Sequence, residues 1–151
     1  ITFVLEEDIY PSIYIAMPSK IDSSLAPNGH SRITLTSFIS HEEASNWKRD
    51  DADYRQRKSL FGEKLITKAE RAIPELRKHI IFREEASPAT FGRYVWTTEG
   101  AIYGSAVDQW KLPIKIPIEG LFLTGAGVTR RSGVEDAAIS GTLAANMISP
   151  L

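Results

Sequence analysis

Between Asp51 and Leu76 apolar residues recur at three-, four- and seven-residue intervals, at Tyr54, Phe61, Leu65, Ala69, Ala72 and Leu76, with Lys and Arg between them. That spacing predicts one long amphipathic helix, interrupted or ended near Pro74, whose apolar stripe must be buried against another layer. The basic residues Arg55, Arg57, Lys58, Lys64, Lys68 and Arg71 are interspersed with Glu63, Glu70 and Glu75. They read as a solvated outer face, because no aromatic interleaving accompanies them as it would in a nucleic-acid stripe.

The flanking segments have the shorter period of strands. Ser12 to Met17 is rich in β-branched and aromatic residues and is stopped by Pro18-Ser19. The stretch Asp22 to His30 concentrates turn formers, and Arg32 to Ile39 then alternates, with Ile33, Leu35 and Ser37 on one face and Thr34, Thr36 and Phe38 on the other. Neither face is strongly polar, so this strand is expected to be covered on both sides. His79 to Glu85 reads as another strand. Ser87-Pro88 places a capping side chain before a proline at the first helical position and predicts a short helix through Phe91 or Tyr94. Thr97 to Gly100 makes a turn, Ala101 to Gly104 a short apolar segment, and Lys111 to Pro117 an extended connector. Gly120 to Thr124 reads as a buried strand, and a last helix runs from about Gly133 to Ile148. The expected fold class is α+β: an antiparallel or mixed sheet covered by helices, plus a C-terminal strand–helix.

Composition narrows the chemistry. With 18 Lys and Arg against 19 Asp and Glu among 151 residues, the net charge is −1, which provides no global field for nucleic acid or an anionic membrane. At 42 % hydrophobic and 25 % charged the chain is that of an ordinary soluble globular domain, able to bury roughly 70 % of its unfolded surface. The absence of cysteine excludes disulfides, thiolate nucleophiles, Cys-ligated zinc and iron–sulfur clusters. His30, His41 and His79 have no metal-ligand spacing, and the pairs Glu6-Glu7, Glu42-Glu43 and Glu84-Glu85 do not suggest a shared acid and base. Serine-nucleophile elbows and phosphate loops are absent. No apolar run approaches the ~18 residues of a membrane span. Ile1 to Asp8 has no initiator Met or basic leader and reads like the middle of a strand, so the chain is expected to be a piece of a longer protein.

The informative region begins at Gly120. Gly125 and Gly127 follow a strand and allow a sharp turn or a close ligand approach. Ser132 with Glu135 three positions on matches a capping box for the last helix. On that helix Gly133, Ala137 and Gly141, with Ala144 or Ala145, line up as a face of very small side chains, to which a sheet or a flat ring system could lie unusually close. A Rossmann phosphate loop is disfavoured: Arg130 occupies the third glycine position, and the helix begins only after a long loop. Glu135 and Asp136 already occupy the positive end of the helix dipole, so a neutral, polarised carbonyl suits this terminus better than a pyrophosphate.

The run Gly120-Leu121-Phe122-Leu123-Thr124-Gly125-Ala126-Gly127, then Ser132-Gly133-Val134-Glu135-Asp136-Ala137, Ser140-Gly141 and Ala144-Ala145, resembles the C-terminal flavin-binding segment of the phytoene desaturase and carotenoid isomerase branch of the FAD-dependent amine oxidase superfamily. Upstream, Pro11 to Ser19, Asp22 to His30, Ser87-Pro88-Ala89-Thr90-Phe91 and Gly100-Ala101-Ile102-Tyr103-Gly104 match further patterns of that branch in order. The resemblance implies a substrate-side α+β region at 1–119 and an FAD-binding strand–turn–helix at 120–151. It implies that Gly125 and Ala126 approach the ribityl chain. Gly133 and Val134 would present backbone N–H groups to the flavin N1/C2 region, with Ala137 on the same small face. Many superfamily members have an acid where this chain has Ala126, so contact there is expected through backbone only.

Trp96, Tyr103 and Gly104 are candidates to line a pocket for an apolar substrate, as is Trp110, although such aromatics more often belong to a core. Arg130 and Arg131 read as solvent-facing, and no catalytic side chain is assigned. The implied activity is that of an FAD-dependent desaturase or isomerase acting on a hydrophobic polyene or isoprenoid, cytoplasmic or peripheral to a membrane, with no nucleic-acid partner and no metal. The 151 residues alone are expected to bind FAD weakly or not at all, to be inactive and to self-associate through exposed edges. Two alternatives stand beside this reading: a cofactor-free interaction domain, and a flavin amine oxidase.

Overall fold

The computed structural model describes residues 2–6, 12–102, 112–128 and 133–149. Three antiparallel strands, β1 (Thr2–Glu6), β2 (Ser12–Ala16) and β3 (Thr34–Ser37), form one sheet in the order β1-β2-β3. Registers Phe3↔Ile15 and Ile15↔Leu35 align the three along one line. The β2–β3 connection is two 3-10 turns, Pro18–Lys20 and Ser23–Leu25, and not a single loop. Asp22 caps the second by accepting from the Ser24 backbone N–H at 2.9 Å, and the Arg32 N–H donates to Ser19 Oγ at 2.9 Å, which ties the two ends of the connection together.

The expected long helix is α2 (Tyr54–Ala69). It ends short of Leu76 for a steric reason: Pro74 has no N–H to donate to the Glu70 carbonyl, and its ring would crowd that carbonyl. The last i→i−4 bond in this region is accordingly Ile73 N–H to Ala69 O, at 2.9 Å. The chain then makes a left-handed step at Glu75 (φ 63°) into a 3-10 turn, Leu76–His79. Ala69 of α2 and Leu76 of this turn meet Ile13 and Ile15 of β2 in the core, and Ile33, Leu35, Leu65, Ala72, Ile73 and Ile80 pack around them. This core covers one face of the sheet. The other face carries Tyr14 and Phe38 edge to face at 5.3 Å and stays partly open, Tyr14 being 36 % exposed, so β3 is not covered on both sides among the described residues.

The basic face of α2 is less free than its sequence suggests. The Arg57 guanidinium lies 4.9 Å from the centre of the Trp47 ring and donates to Asn46 O, and Lys58 lies over Tyr54. Glu63 accepts hydrogen bonds from both Arg77 and Arg83.

Residues 79–85 do not form a strand. His79 closes the 3-10 turn, and the chain then runs irregularly along α2, where Arg83 reaches Glu63 and donates to Ser59 Oγ at 2.9 Å. A strand needs a neighbour with free backbone groups, and α2, whose backbone is already paired internally, offers only side chains. Gly62 explains the close approach: a Cβ there would lie 2.9 Å from Glu85 Cγ. Ile81 and Phe82 are left exposed on the outer side.

The short helix α1 (His41–Ser45) is capped by Ser40, which accepts from the Glu43 N–H. The expected cap at Ser87-Pro88 is present, and α3 runs over Pro88–Val95 with a full capping box between Ser87 and Thr90. Tyr54 joins α2 to this cap, its hydroxyl 2.8 Å from Ser87 Oγ. Burial pushes the Tyr54 phenol up, but hydrogen bonding to Ser87 and Thr90 and the charges of Lys58 and Arg49 outweigh it, leaving a net downward shift. The 3-10 turn Thr98–Gly100 packs back on α3, with Gly100 at φ 73° directly over Pro88.

Gly120 to Thr124 is likewise not a buried strand. It makes one isolated antiparallel bridge, Phe122 with Lys115, supported by Leu123 N–H to Ile114 O at 2.8 Å, and Leu121 is 43 % exposed. Helix α4 (Val134–Ile148) follows. Its N-cap is Gly133, with no side-chain cap; in that register the third helical position is Asp136 and not Glu135, so Ser132 and Glu135 do not stand in the capping-box register expected of them. Ser132 itself lies outside the described residues. The fold class is α+β, as expected.

Candidate functional site

The structure joins the glycine turn to α4 through a residue to which the sequence assigns no role. The Gly125 N–H donates to Ser140 Oγ at 2.8 Å, and the same hydroxyl donates to Ala137 O at 2.6 Å. Ser140 is fully buried, with Ala144 one turn further along the same ridge. Gly125 has φ 110°, a backbone state that a side chain would strain, and the turn is closed by Val128 N–H to Gly125 O. A buried serine among small helical residues signals a bond back to its own helix. Its second partner, fifteen positions earlier, has no local signature.

Ser140 is seven positions past the N-cap, so the Gly125–Ala126 turn is held about 10 Å along the axis from the amino end of α4. Between the two lies Ala137, and Gly141 follows directly after Ser140; both are small residues of the expected face. At Gly125, Gly127 and Gly141 a Cβ would meet no atom within 4 Å, and at Gly133 only Asp136 Oδ2 at 3.9 Å. These glycines are therefore not required by packing within the described residues. The leading N–H groups of α4, at Val134, Glu135 and Asp136, have no intrahelical partner by helix geometry and no side-chain cap. An elongated group offering an acceptor at one end fits this open, amide-lined, small-residue face.

The other candidates fall elsewhere. Trp96 is the C-cap of α3, left-handed at φ 62° and 91 % exposed. Tyr103, Gly104, Trp110, Arg130 and Arg131 lie outside the described residues. Each histidine has a local partner: His30 Nδ1 with Asn28 O, His79 Nδ1 with Glu75 O, and His41 with Glu99 at 2.9 Å. A shallow groove between α1 and α2 is lined by Glu43, Trp47, Arg57, Leu60, Phe61 and Lys64, where Trp47 meets Tyr54 and Phe61 edge to face. No helix among the described residues is long and apolar enough to cross a membrane.

No protein-family profile matches the chain. Individual proteins do. It is 29 % identical to the chloroplastic prolycopene isomerase of Daucus carota, over 97 % of the chain and 26 % of that protein. It is 30 % identical to the 4,4'-diaponeurosporene oxygenase of Staphylococcus haemolyticus, over 98 % of the chain and 29 % of that protein. With the all-trans-retinol 13,14-reductase of Danio rerio it shares 30 % identity over 76 % of the chain and 21 % of that protein. The chain thus spans about a quarter of the length of the curated relatives it matches. Over nearly its whole length the chain is similar to proteins named as prolycopene isomerases and as oxygenases of diaponeurosporene and diapolycopene.

Proposed function

We propose that the full-length protein is an FAD-dependent oxidoreductase, a desaturase or isomerase, acting on a hydrophobic polyene or isoprenoid. The observation that carries this reading is the glycine turn held by Ser140 beside an uncapped helix start, with open space at each glycine. It occurs in a chain whose relatives are named for isomerising, oxygenating and reducing carotenoids or retinol. When bound, FAD supplies the hydride and electron chemistry.

The chain's own part is binding and electrostatics. The Val134 to Asp136 N–H groups direct the positive end of α4 at a polarised carbonyl edge and would stabilise negative charge developing there. Ala126 would offer its backbone groups, and the Gly125 carbonyl its remaining lone pair, to a polyhydroxyl chain, and Ala137 leaves room for close contact along the helix. In this reading residues 120–151 belong to the cofactor side and 1–119 to the substrate side, with Trp96, Tyr103 and Gly104 toward the apolar substrate. A peripheral seat at a membrane accords with such a substrate and requires no spanning helix.

The test is the visible spectrum of the full-length protein, purified without added cofactor and then denatured. Release of about one flavin per chain is the expected result. A colourless protein that also ignores added FAD sinks the reading and favours an interaction domain. The 151-residue chain alone is expected to bind FAD weakly, because it spans only about a quarter of the length of the relatives it matches.

A further inference from the structure

We propose that Ser140 is a positioning residue for the cofactor, setting the height and orientation of the Gly125–Ala126 turn against α4; this rests on the flavin reading above. The hydroxyl has one proton to give and two lone pairs. The proton goes to Ala137 O at 2.6 Å, and a lone pair accepts the Gly125 N–H at 2.8 Å. Helix formation does not explain the residue, since a serine bonded back to its own helix weakens that helix slightly and alanine is the better helix former. Surface polarity does not explain it either, because Ser140 is 0 % exposed. What the hydroxyl does accomplish is to give the N–H of a left-handed glycine a partner and so select one position of the turn on the helix. Without it, the Gly125 N–H loses this partner, and no other hydrogen bond among the described residues ties the turn to α4.

Thr142 is a control within the same helix. Its Oγ1 donates to Ala138 O at 3.2 Å in a comparable bond back to the helix, but it is exposed and touches no loop in that bond.

The experiment uses the full-length holoprotein and its apo form as wild type, Ser140→Ala, Ser140→Cys and Thr142→Ala. Ser140→Ala is expected to weaken FAD binding by about tenfold or more and to move the visible flavin absorption. In the apo form it should speed hydrogen exchange in peptides covering 121–128 while leaving the melting temperature nearly unchanged. Ser140→Cys, of similar size but a weaker hydrogen-bonding group, should fall between, and it carries the test if the alanine variant does not fold. Thr142→Ala should match wild type. Affinity and spectrum of Ser140→Ala within about twofold of wild type overturn the proposal; so does an apo melting loss that accounts for the whole loss of binding. A wild-type protein free of flavin sinks the cofactor reading instead, and exchange over 121–128 then still decides whether Ser140 holds the turn.

Discussion

On β2, Ile13 and Ile15 are 1 % and 0 % exposed, whereas on α4 Ile139, Met147 and Ile148 are 53 %, 51 % and 65 % exposed. The first region closes its core with its own residues: β2 supplies two isoleucines, α2 supplies Ala69, and the 3-10 turn after Pro74 supplies Leu76. Among its described residues the second region buries Ser140 and Ala144. A helix of this length is marginal in water without tertiary burial, and among the described residues α4 buries little apolar surface. The contrast teaches that the sheet and α2 are organised for stability, while the glycine turn and α4 present surface.

The largest expected effect lies outside both regions, where the turn after α3 presses on Pro88. Gly100→Ala would place a Cβ 2.2 Å from Pro88 O in a residue at φ 73°. The combined strain and overpacking predict a loss of about 4 kcal/mol, measurable by denaturant unfolding. A loss below about 1 kcal/mol would mean that the turn after α3 is free to move away. Next comes a matched pair of truncations. Ile15→Ala should cost about 3 kcal/mol, because the site is fully enclosed. Leu143→Ala, at a position 44 % exposed, should cost under about 0.5 kcal/mol in this chain. Equal costs would erase the distinction between the two regions.

Tyr54→Phe sharpens the picture of how α3 is attached. The hydroxyl that meets Ser87 would be lost, while the Ser87–Thr90 capping box remains, so a loss of about 1 kcal/mol is expected. The smallest effect is the pH dependence at Glu63. Hydrogen bonds from Arg77 and then Arg83 hold its carboxyl below the usual carboxylate range. A folded-state pKa that is depressed contributes stability above the unfolded value of about 4.3, and this is lost as pH falls through the lower folded value. Glu63→Gln should therefore lower the melting temperature slightly near neutral pH, with the difference from wild type vanishing in strong acid. High salt should shrink it, since the group is exposed. A difference that persists in acid would assign the effect to packing.

Much of the fold was legible because its signals are local. Ser87-Pro88 announced α3, Pro74 ended α2 by removing one donor and crowding one carbonyl, and the apolar period placed α2 beside the strands. The strands expected at 79–85 and 120–124 failed for a shared reason: an apolar, β-prone run becomes a strand only when another segment offers free backbone groups alongside. Arg83 and Gly62 instead fit the first run to a helix, and among the described residues the second pairs with only Ile114 and Lys115. At the candidate site the glycines and the small helix face were readable, but not the bond between them.

The sequence by itself determined that α3 begins at Pro88 and that α2 stops before Pro74, because a cap and a proline each act over one turn of chain. It also determined that Gly125 could adopt φ 110°, which requires only the absence of a Cβ. Tertiary structure alone decided that Gly100 sits against Pro88, that Arg77 and Arg83 converge on Glu63, and that Ser140 captures the Gly125 N–H. Each of these joins residues ten or more positions apart. Such contacts form only after the intervening chain has been ordered by the burial of Ile13 and Ile15 or by the winding of α4, and no short-range pattern encodes them.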